Sequence, residues 1–171
     1  MPNHLPPLFA AIKALASTPK WQVHEDQFRL AVALDIDGVT QMGLKLLGRC
    51  SRDYPDQNVT FQIEYLFKSF RSAPVARIDW RPLSPHTNRN VGPAEWRLVR
   101  VDGSHIHPFQ ENYDWMVSDS VPLADYMKLP IAVPLAPDLD SVTSLVTVVG
   151  RWFNIEGVEA IPVPPWEPRL L

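Results

Sequence analysis

The sequence predicts an α+β fold: an antiparallel β-sheet meander, an N-terminal helix and a longer C-terminal helix packed on it, and a proline-rich C-terminal strap. Three observations predict this class. Several consecutive segments alternate apolar and polar residues, which is the period of a strand with one buried face. Short polar loops separate these segments, as hairpin connections require. Near both ends of the chain the apolar residues recur instead at helical spacing. The order helix, sheet, helix is typical of α+β proteins.

The first element is predicted as a short amphipathic helix with prolines in its first turn, where a missing N–H costs little. Its apolar stripe consists of Leu5, Leu8, Phe9, Ile12 and Leu15. Thr18-Pro19 ends the helix, because a residue before proline is displaced from the α region.

Four alternating segments predict the central strands, at 28–36, 42–50, 59–67 and 75–81. Asp37-Gly38 is a turn signal after the first, and Gly43 and Gly48 interrupt the second. Two further short strands are predicted at Trp96–Val101 and His105–Phe109. Consecutive strands with short connections favour an antiparallel meander.

The C-terminal third is predicted to contain a short helix at Val121–Lys128, an extended segment at Ile131–Pro137 and a helix from Asp138 to Phe153. Asp138 or Asp140 is the predicted N-cap. The last segment is rich in β-branched residues, so two strands are the alternative. We therefore predict one domain over 1–157. The proline-rich residues 158–171 follow it as a polyproline-like strap or a tail.

Composition excludes several classes of protein. The 171 residues carry a net charge of −3, which argues against a generally basic nucleic-acid coat. Cys50 is the single cysteine, so no internal disulfide can form, and this favours a reducing compartment. No apolar run is long enough for a transmembrane helix. The apolar N-terminus has no Lys or Arg before it, unlike a signal peptide, and we expect a cytoplasmic protein.

The candidate site contains histidines between positions 86 and 107. His105 and His107 are separated by one residue, so on a strand both rings project from one face, about 6.5–7 Å apart at their Cα atoms. Neighbouring strands and loops would add polar residues to that face. These are Arg77, Asp79, Arg81, His86 and Asn88.

One interpretation of this set is metal-independent acid–base chemistry on a phosphodiester, such as RNA cleavage. A histidine pair can supply a general base and a general acid near neutral pH. Arginine presents paired donors to phosphate oxygens and stabilises the developing charge. The predicted catalytic residues are His105, His107, His86, Arg77 and Asp79, and Arg81 and Asn88 are predicted to bind substrate. No cofactor is expected under this interpretation.

A second interpretation is a site for one divalent transition metal such as zinc, with His105, His107 and Glu111 as ligands and His86 or Asp79 completing it. The spacing His-x-His-x-x-x-Glu resembles the core of the first cupin metal motif. Val99 stands where that motif has glycine, however, and no later histidine supplies the second cupin motif. The remaining alternative is that these histidines are structural and bond to neighbouring backbone.

A longer resemblance covers residues 61–112. An alternating strand is followed by the segments Arg77–Pro82, Ser84–Asn88 and Gly103–His107. This order resembles small uncharacterised bacterial proteins related to the TumE-like toxins of toxin–antitoxin loci, which carry Arg-x-Asp, Pro-His and His-x-His elements. The residues after 112 have no counterpart in such short toxins.

The resemblance implies a cytoplasmic protein with a small sheet and a flanking helix, encoded near an antitoxin or on a mobile element. RNA or a nucleotide is then the implied target. The implied functional residues are Arg77, Asp79, His86, His105 and His107. We expect a toxin-like protein of this kind, with a cognate antitoxin or another protein as partner and homo-oligomers as a further option. The alternatives are a non-catalytic protein-binding module and a metal-binding protein that uses the His-x-His pair.

Overall fold

A computed structural model describes residues 4–67, 72–118, 122, 128–136 and 138–167. The fold is α+β, as predicted, with one large and mostly antiparallel sheet. Its strands run in the order β10-β9-β6-β5-β4-β3-β1-β11, and β2 also pairs with β3. The bounds are β1 Lys13–Leu15, β2 Gln22–His24, β3 Gln27–Ile36, β4 Val39–Ser51, β5 Val59–Leu66, β6 Ser72–Trp80, β9 His105–His107, β10 Val133–Pro134 and β11 Ile155–Glu156. A two-stranded ribbon is formed by β7 His86–Thr87 and β8 Arg100–Val101.

The predicted meander is confirmed in β3 to β6, which pair consecutively and antiparallel. On one face, successive partners form an apolar row that reaches β9. The row consists of Leu30, Gly48, Phe61, Ile78 and Ile106. At Gly48 a Cβ would lie 2.8 Å from the Trp21 ring, so the close packing of that ring requires glycine. This glycine therefore does not interrupt β4.

The opposite face of the same strands is polar, because successive strand residues point to opposite sides of a sheet. Its central row runs through Arg29, Arg49, Thr60, Asp79 and His105. The neighbouring row ends in Arg77 and His107, which are partners on β6 and β9. The alternation of side chains that buries the core on one face thus places the arginines, the aspartate and the histidines on the opposite face.

Helices join the apolar face of the sheet. The bounds are α1 Leu5–Ala10, α2 Phe109–Ser118 and α3 Val142–Phe153. Phe9 stacks on Phe109 with ring centroids 4.3 Å apart and meets Phe153 edge-on at 6.3 Å, so the three helices share one cluster of rings. The periodicity that predicts α3 is confirmed, and the two-strand alternative is wrong. The N-cap is Ser141, whose hydroxyl accepts from the Ser144 N–H, and neither Asp138 nor Asp140.

The prediction of one helix through Leu15 is wrong. The helix ends at Ala10, and Lys13–Leu15 form β1 between β3 and the parallel strand β11. Hydrogen bonding to two neighbouring strands stabilises this segment more than one further turn of helix would, because a short helix is only marginally stable by itself. Ile12, which the stripe would bury, is exposed.

The sequence also misplaces elements after residue 95. Trp96–Val101 is a strand only at its last two residues. The strand predicted to reach Phe109 stops at His107, and α2 begins at Phe109. The helix predicted at Val121–Lys128 lies largely outside the described residues. Within the segment predicted to be extended at 131–137, residues 133–134 form β10, and residue 137 lies outside the described residues.

The proline-rich segment contacts the rest of the chain through its described residues. Ile161 is buried, the Trp21 indole N–H donates to the Pro162 carbonyl at 2.7 Å, and the Trp166 indole N–H donates to the Ser51 carbonyl at 2.7 Å. Among the described residues, no helix is long and apolar enough to cross a membrane.

Candidate functional site: a histidine–aspartate–arginine cluster

Three histidines meet on the polar face of the sheet. The ring centroids of His86, His105 and His107 lie 4.7–5.6 Å apart. One nitrogen atom from each ring lies within 4.8 Å of the others, a separation from which a single metal ion could be held. His105 and His107 are buried, whereas His86 is partly exposed. The cluster is therefore open to solvent mainly on the side of His86.

Asp79 lies at the centre of the cluster because strand register brings it opposite His105. Its Oδ2 atom lies 3.4 Å from His105 Nε2 and 3.3 Å from His107 Nε2. The same oxygen accepts from Arg77 Nε at 2.7 Å, and Oδ1 accepts from the Thr60 hydroxyl at 2.7 Å. Arg77 Nη2 also donates to His107 Nε2 at 2.6 Å. One carboxylate thus links β5, β6 and β9.

Backbone carbonyls orient the two buried rings. His105 Nδ1 bonds to the Gly103 carbonyl at 2.8 Å, and His107 Nδ1 bonds to the Leu129 carbonyl at 2.6 Å. A carbonyl only accepts, so the Nδ1 atom of each ring donates a proton to it, and the Nε2 atom of each ring faces Asp79. Gly103 reaches this position with φ of +73°, a backbone conformation that glycine adopts without strain. A metal-ligating histidine is commonly held by such a bond from its other nitrogen.

His86 lies on β7 of the two-stranded ribbon and not on the main sheet. Its Nε2 lies 3.4 Å from the Pro130 carbonyl. Asn88, two residues later, is buried, and its amide donates to the carbonyls of Trp96 and Ala132 and accepts from the Ala132 N–H. These bonds join the ribbon to residues 129–132 and so hold His86 beside the sheet.

Sequence reasoning missed the residues that hold segment 129–132 in place. Asn112 on α2 is buried, donates to the carbonyls of Pro108 and Ile131, and accepts from the Ile131 N–H. With Asn88 it positions the segment whose carbonyls contact His86 and His107. In the sequence, Asn112 is recognisable only as an amide among the apolar positions of a helix, and this pattern does not show which groups the amide binds.

The pKa shifts follow from burial and from the charges in the cluster. Burial alone would raise the pKa of Asp79, but the adjoining side chains of His105 and His107 and the charge of Arg77 together lower it well below its usual value. Burial lowers the pKa of His107 to about 4, since the contribution of Asp79 offsets it only partly. Burial also lowers the pKa of His86. Asp79 is thus ionised and His107 neutral near pH 7, so the buried His107 is not a general acid there.

The structure brings together the five residues predicted to be catalytic, and it places the other three candidates elsewhere. Asn88 uses its amide to bind backbone, so substrate binding does not follow from its position. Arg81 lies over the Trp80 ring and donates to the Leu139 carbonyl at 3.0 Å. Glu111 lies in the first turn of α2, and the metal-compatible group among the described residues contains His86 in its place.

In comparisons with known proteins, no protein-family model, curated protein or solved structure matches the chain.

Proposed function

We propose that His86, His105, His107 and Asp79 form a centre for one divalent transition metal ion, zinc being the first candidate. The observation that carries this proposal is that one nitrogen atom from each histidine lies within 4.8 Å of the others, and that Asp79 Oδ2 lies 3.3–3.4 Å from two of the rings. A cation held between these ring nitrogens and the carboxylate oxygen would be attracted to the negative charge of Asp79. Imidazole and carboxylate together are typical ligands of zinc and related ions.

The distances support a tetrahedral ion. Metal–ligand bonds of about 2.0–2.2 Å place two tetrahedral ligands roughly 3.4 Å apart. The separations of 3.4 and 3.3 Å between Asp79 Oδ2 and the two buried histidines agree with that value. His86 is the partly exposed member of the three histidines, so its position is the one at which water or substrate could enter.

The reaction that suits this centre is hydrolysis of a phosphate ester in RNA or a nucleotide. Such an ion supplies Lewis-acid activation of the ester and of water. Hydrolysis joins the oxygen of water to phosphorus, breaks one P–O bond and transfers a proton to the leaving oxygen. Arg77, which an ion would displace from His107, then presents its guanidinium to the phosphate. From the resemblance predicted for residues 61–112, we also propose RNA or a nucleotide as the substrate class and a protein antitoxin as the partner.

A second candidate function is a metal-independent phosphate site. It is favoured by the bond from Arg77 Nη2 to His107 Nε2. Since Arg77 Nε also donates to Asp79 Oδ2, the guanidinium already provides a cation beside the carboxylate and the ring. Under this alternative Arg77 and His86 face the substrate, and Asp79, His105 and His107 hold Arg77 in place.

Metal binding separates the two candidates. We expect the purified protein to bind one equivalent of zinc by calorimetry, and zinc to raise its melting temperature, because a ligand of the native state stabilises that state. His86→Ala, at a partly exposed site, should weaken zinc binding at least ten-fold, because removing a ligand costs no less than the roughly ten- to hundred-fold typical of its outer-shell partners. The exposed residue His24 offers the matched control His24→Ala, which should bind as the wild type does. Absence of zinc binding by the folded wild type would overturn the metal centre.

Growth of bacteria on induced expression tests the toxin-like function. We expect the wild type and His24→Ala to arrest growth, and His86→Ala and the double variant His105→Ala/His107→Ala to relieve the arrest. Both relieving variants must remain soluble at wild-type levels, which quantitation of the soluble fraction establishes. Equal growth of all strains would contradict a toxic activity. Arrest by a wild type that binds no zinc would favour the metal-independent candidate.

A further inference from the structure

A pair of arginines faces solvent on the polar side of the sheet, away from the histidines. Arg29 on β3 and Arg49 on β4 are direct partners in the antiparallel pairing, and both are exposed. Like charges placed opposite each other destabilise a sheet. Across the described residues, neither guanidinium has an ion pair or a hydrogen bond from its side chain. The two positive charges are therefore available to an anion from outside the protein.

The arginine pair lines a groove that leads toward the histidine cluster. The groove has a volume of about 330 Å³, and its lining includes Arg29, Ala31, Leu47, Arg49, Thr60 and Gln62. Thr60 is the register partner of both Arg49 and Asp79, and its hydroxyl donates to the Asp79 carboxylate. The groove thus extends to Thr60 on β5, one strand away from Asp79 at the centre of the proposed metal site.

The spacing of the strands sets the size of a ligand that reaches both places. Neighbouring strands lie about 4.8 Å apart, so Arg49 is roughly 10 Å from Asp79 along the row and Arg29 roughly 14 Å. One phosphate group is too small to contact the arginine pair and the histidines together. A chain with a second phosphate, laid across the strands, reaches both, and the apolar side chains of Ala31 and Leu47 beside the arginine pair offer the groove a surface for a sugar or base.

We propose that Arg29 and Arg49 bind a backbone phosphate of a single-stranded oligonucleotide whose reacting phosphodiester lies at the histidine cluster. The proposal rests on the proposed function for the reacting phosphate, but the arginine pair itself can be tested without turnover. Arginine binds phosphate through paired donors, and phosphate contacts of this kind make affinity depend on salt. The pair thereby selects an oligonucleotide over a single nucleotide.

Binding of a fluorescein-labelled single-stranded RNA decamer, with the matching DNA as a second arm, tests this assignment. Anisotropy is measured on the full chain in EDTA, which prevents metal-dependent cleavage. We expect Arg29→Ala/Arg49→Ala to weaken binding at least ten-fold and to reduce the slope of log K against log salt by about 1.4, the value for two contacts on a single strand. The control Arg100→Ala/Arg151→Ala removes the same charge from exposed positions on β8 and α3 and should change affinity less than two-fold.

The outcomes distinguish this inference from the metal centre. Zinc binding by Arg29→Ala/Arg49→Ala should equal that of the wild type, because neither arginine contacts the histidines. An equal loss of oligonucleotide affinity in the control pair, or no binding by the wild type, would overturn the arginine subsite while leaving the metal centre standing. A ten-fold loss for adenosine monophosphate as well would also overturn it, since the pair would then bind the reacting phosphate itself.

Discussion

Replacing Asp79 with alanine should lower the free energy of unfolding of the metal-free protein by about 3–5 kcal/mol, the cost typical of removing one partner of a buried charged pair. The substitution leaves Arg77 without its carboxylate and the Thr60 hydroxyl without its acceptor. It also leaves two buried histidines around a cavity. Urea denaturation in EDTA measures the effect without any contribution from bound metal.

The chain offers a matched control for this loss. Asp102 bonds to Arg100 Nε at 2.9 Å, a distance similar to that between Asp79 and Arg77, but both side chains are more than 60% exposed. An exposed ion pair contributes little, so Asp102→Ala should leave the free energy of unfolding close to that of the wild type. Equal losses in Asp79→Ala and Asp102→Ala would contradict the view that burial makes the Asp79 network important.

A double-mutant cycle identifies the source of the loss. If the unpaired charge of Arg77 accounts for much of it, then Arg77→Met should recover part of the stability when combined with Asp79→Ala, because this partly buried cation is removed as well. Strict additivity of the two substitutions would instead place the loss in the Thr60 and histidine contacts.

The fold was predictable where one pattern persists over many residues. Alternation from Phe28 to Ile36 and from Val59 to Phe67 is long enough to specify a strand and its buried face, and the register then places Asp79 and His105 together. Elements that depend on distant partners were not predictable. Lys13–Leu15 become a strand only because β3 and β11 lie on either side of them, and this contact joins residues more than 140 positions apart.

The site was likewise predictable where it depends on a local sequence pattern and not where it depends on distant contacts. The spacing of His105 and His107, and of Arg77 and Asp79, indicates which side chains share a face. The choice of His86 over Glu111 as the third member depends instead on a loop held by Asn88 and Asn112. Those bonds end on backbone carbonyls and N–H groups, which every residue carries and no sequence pattern marks.

Lys13 gives the fold a dependence on pH that is separate from the site. The side chain is 1% exposed, and its Nζ donates to the carbonyls of Phe9 at 2.6 Å and Ala11 at 2.7 Å. Burial lowers the pKa of Lys13 from 10.5 to about 8. Between these pH values the unfolded chain binds more protons than the folded protein, so the free energy of unfolding rises with pH through this window. Below pH 8 the cost of the buried charge is present in full.

Substituting Lys13 with methionine should abolish this rise, which amounts to a change on the order of 3 kcal/mol between pH 8 and pH 10.5. Urea denaturation at intervals across that range measures it, with Lys20→Met as the control because Lys20 is exposed. Cys50 acts in the opposite direction: burial raises the pKa of its thiol to about 12, so its contribution to stability falls as pH rises. That contribution is common to both variants and cancels in their difference. If the free energy of unfolding changes with pH in the same way in Lys13→Met and Lys20→Met, then burying the charge of Lys13 does not destabilise the fold.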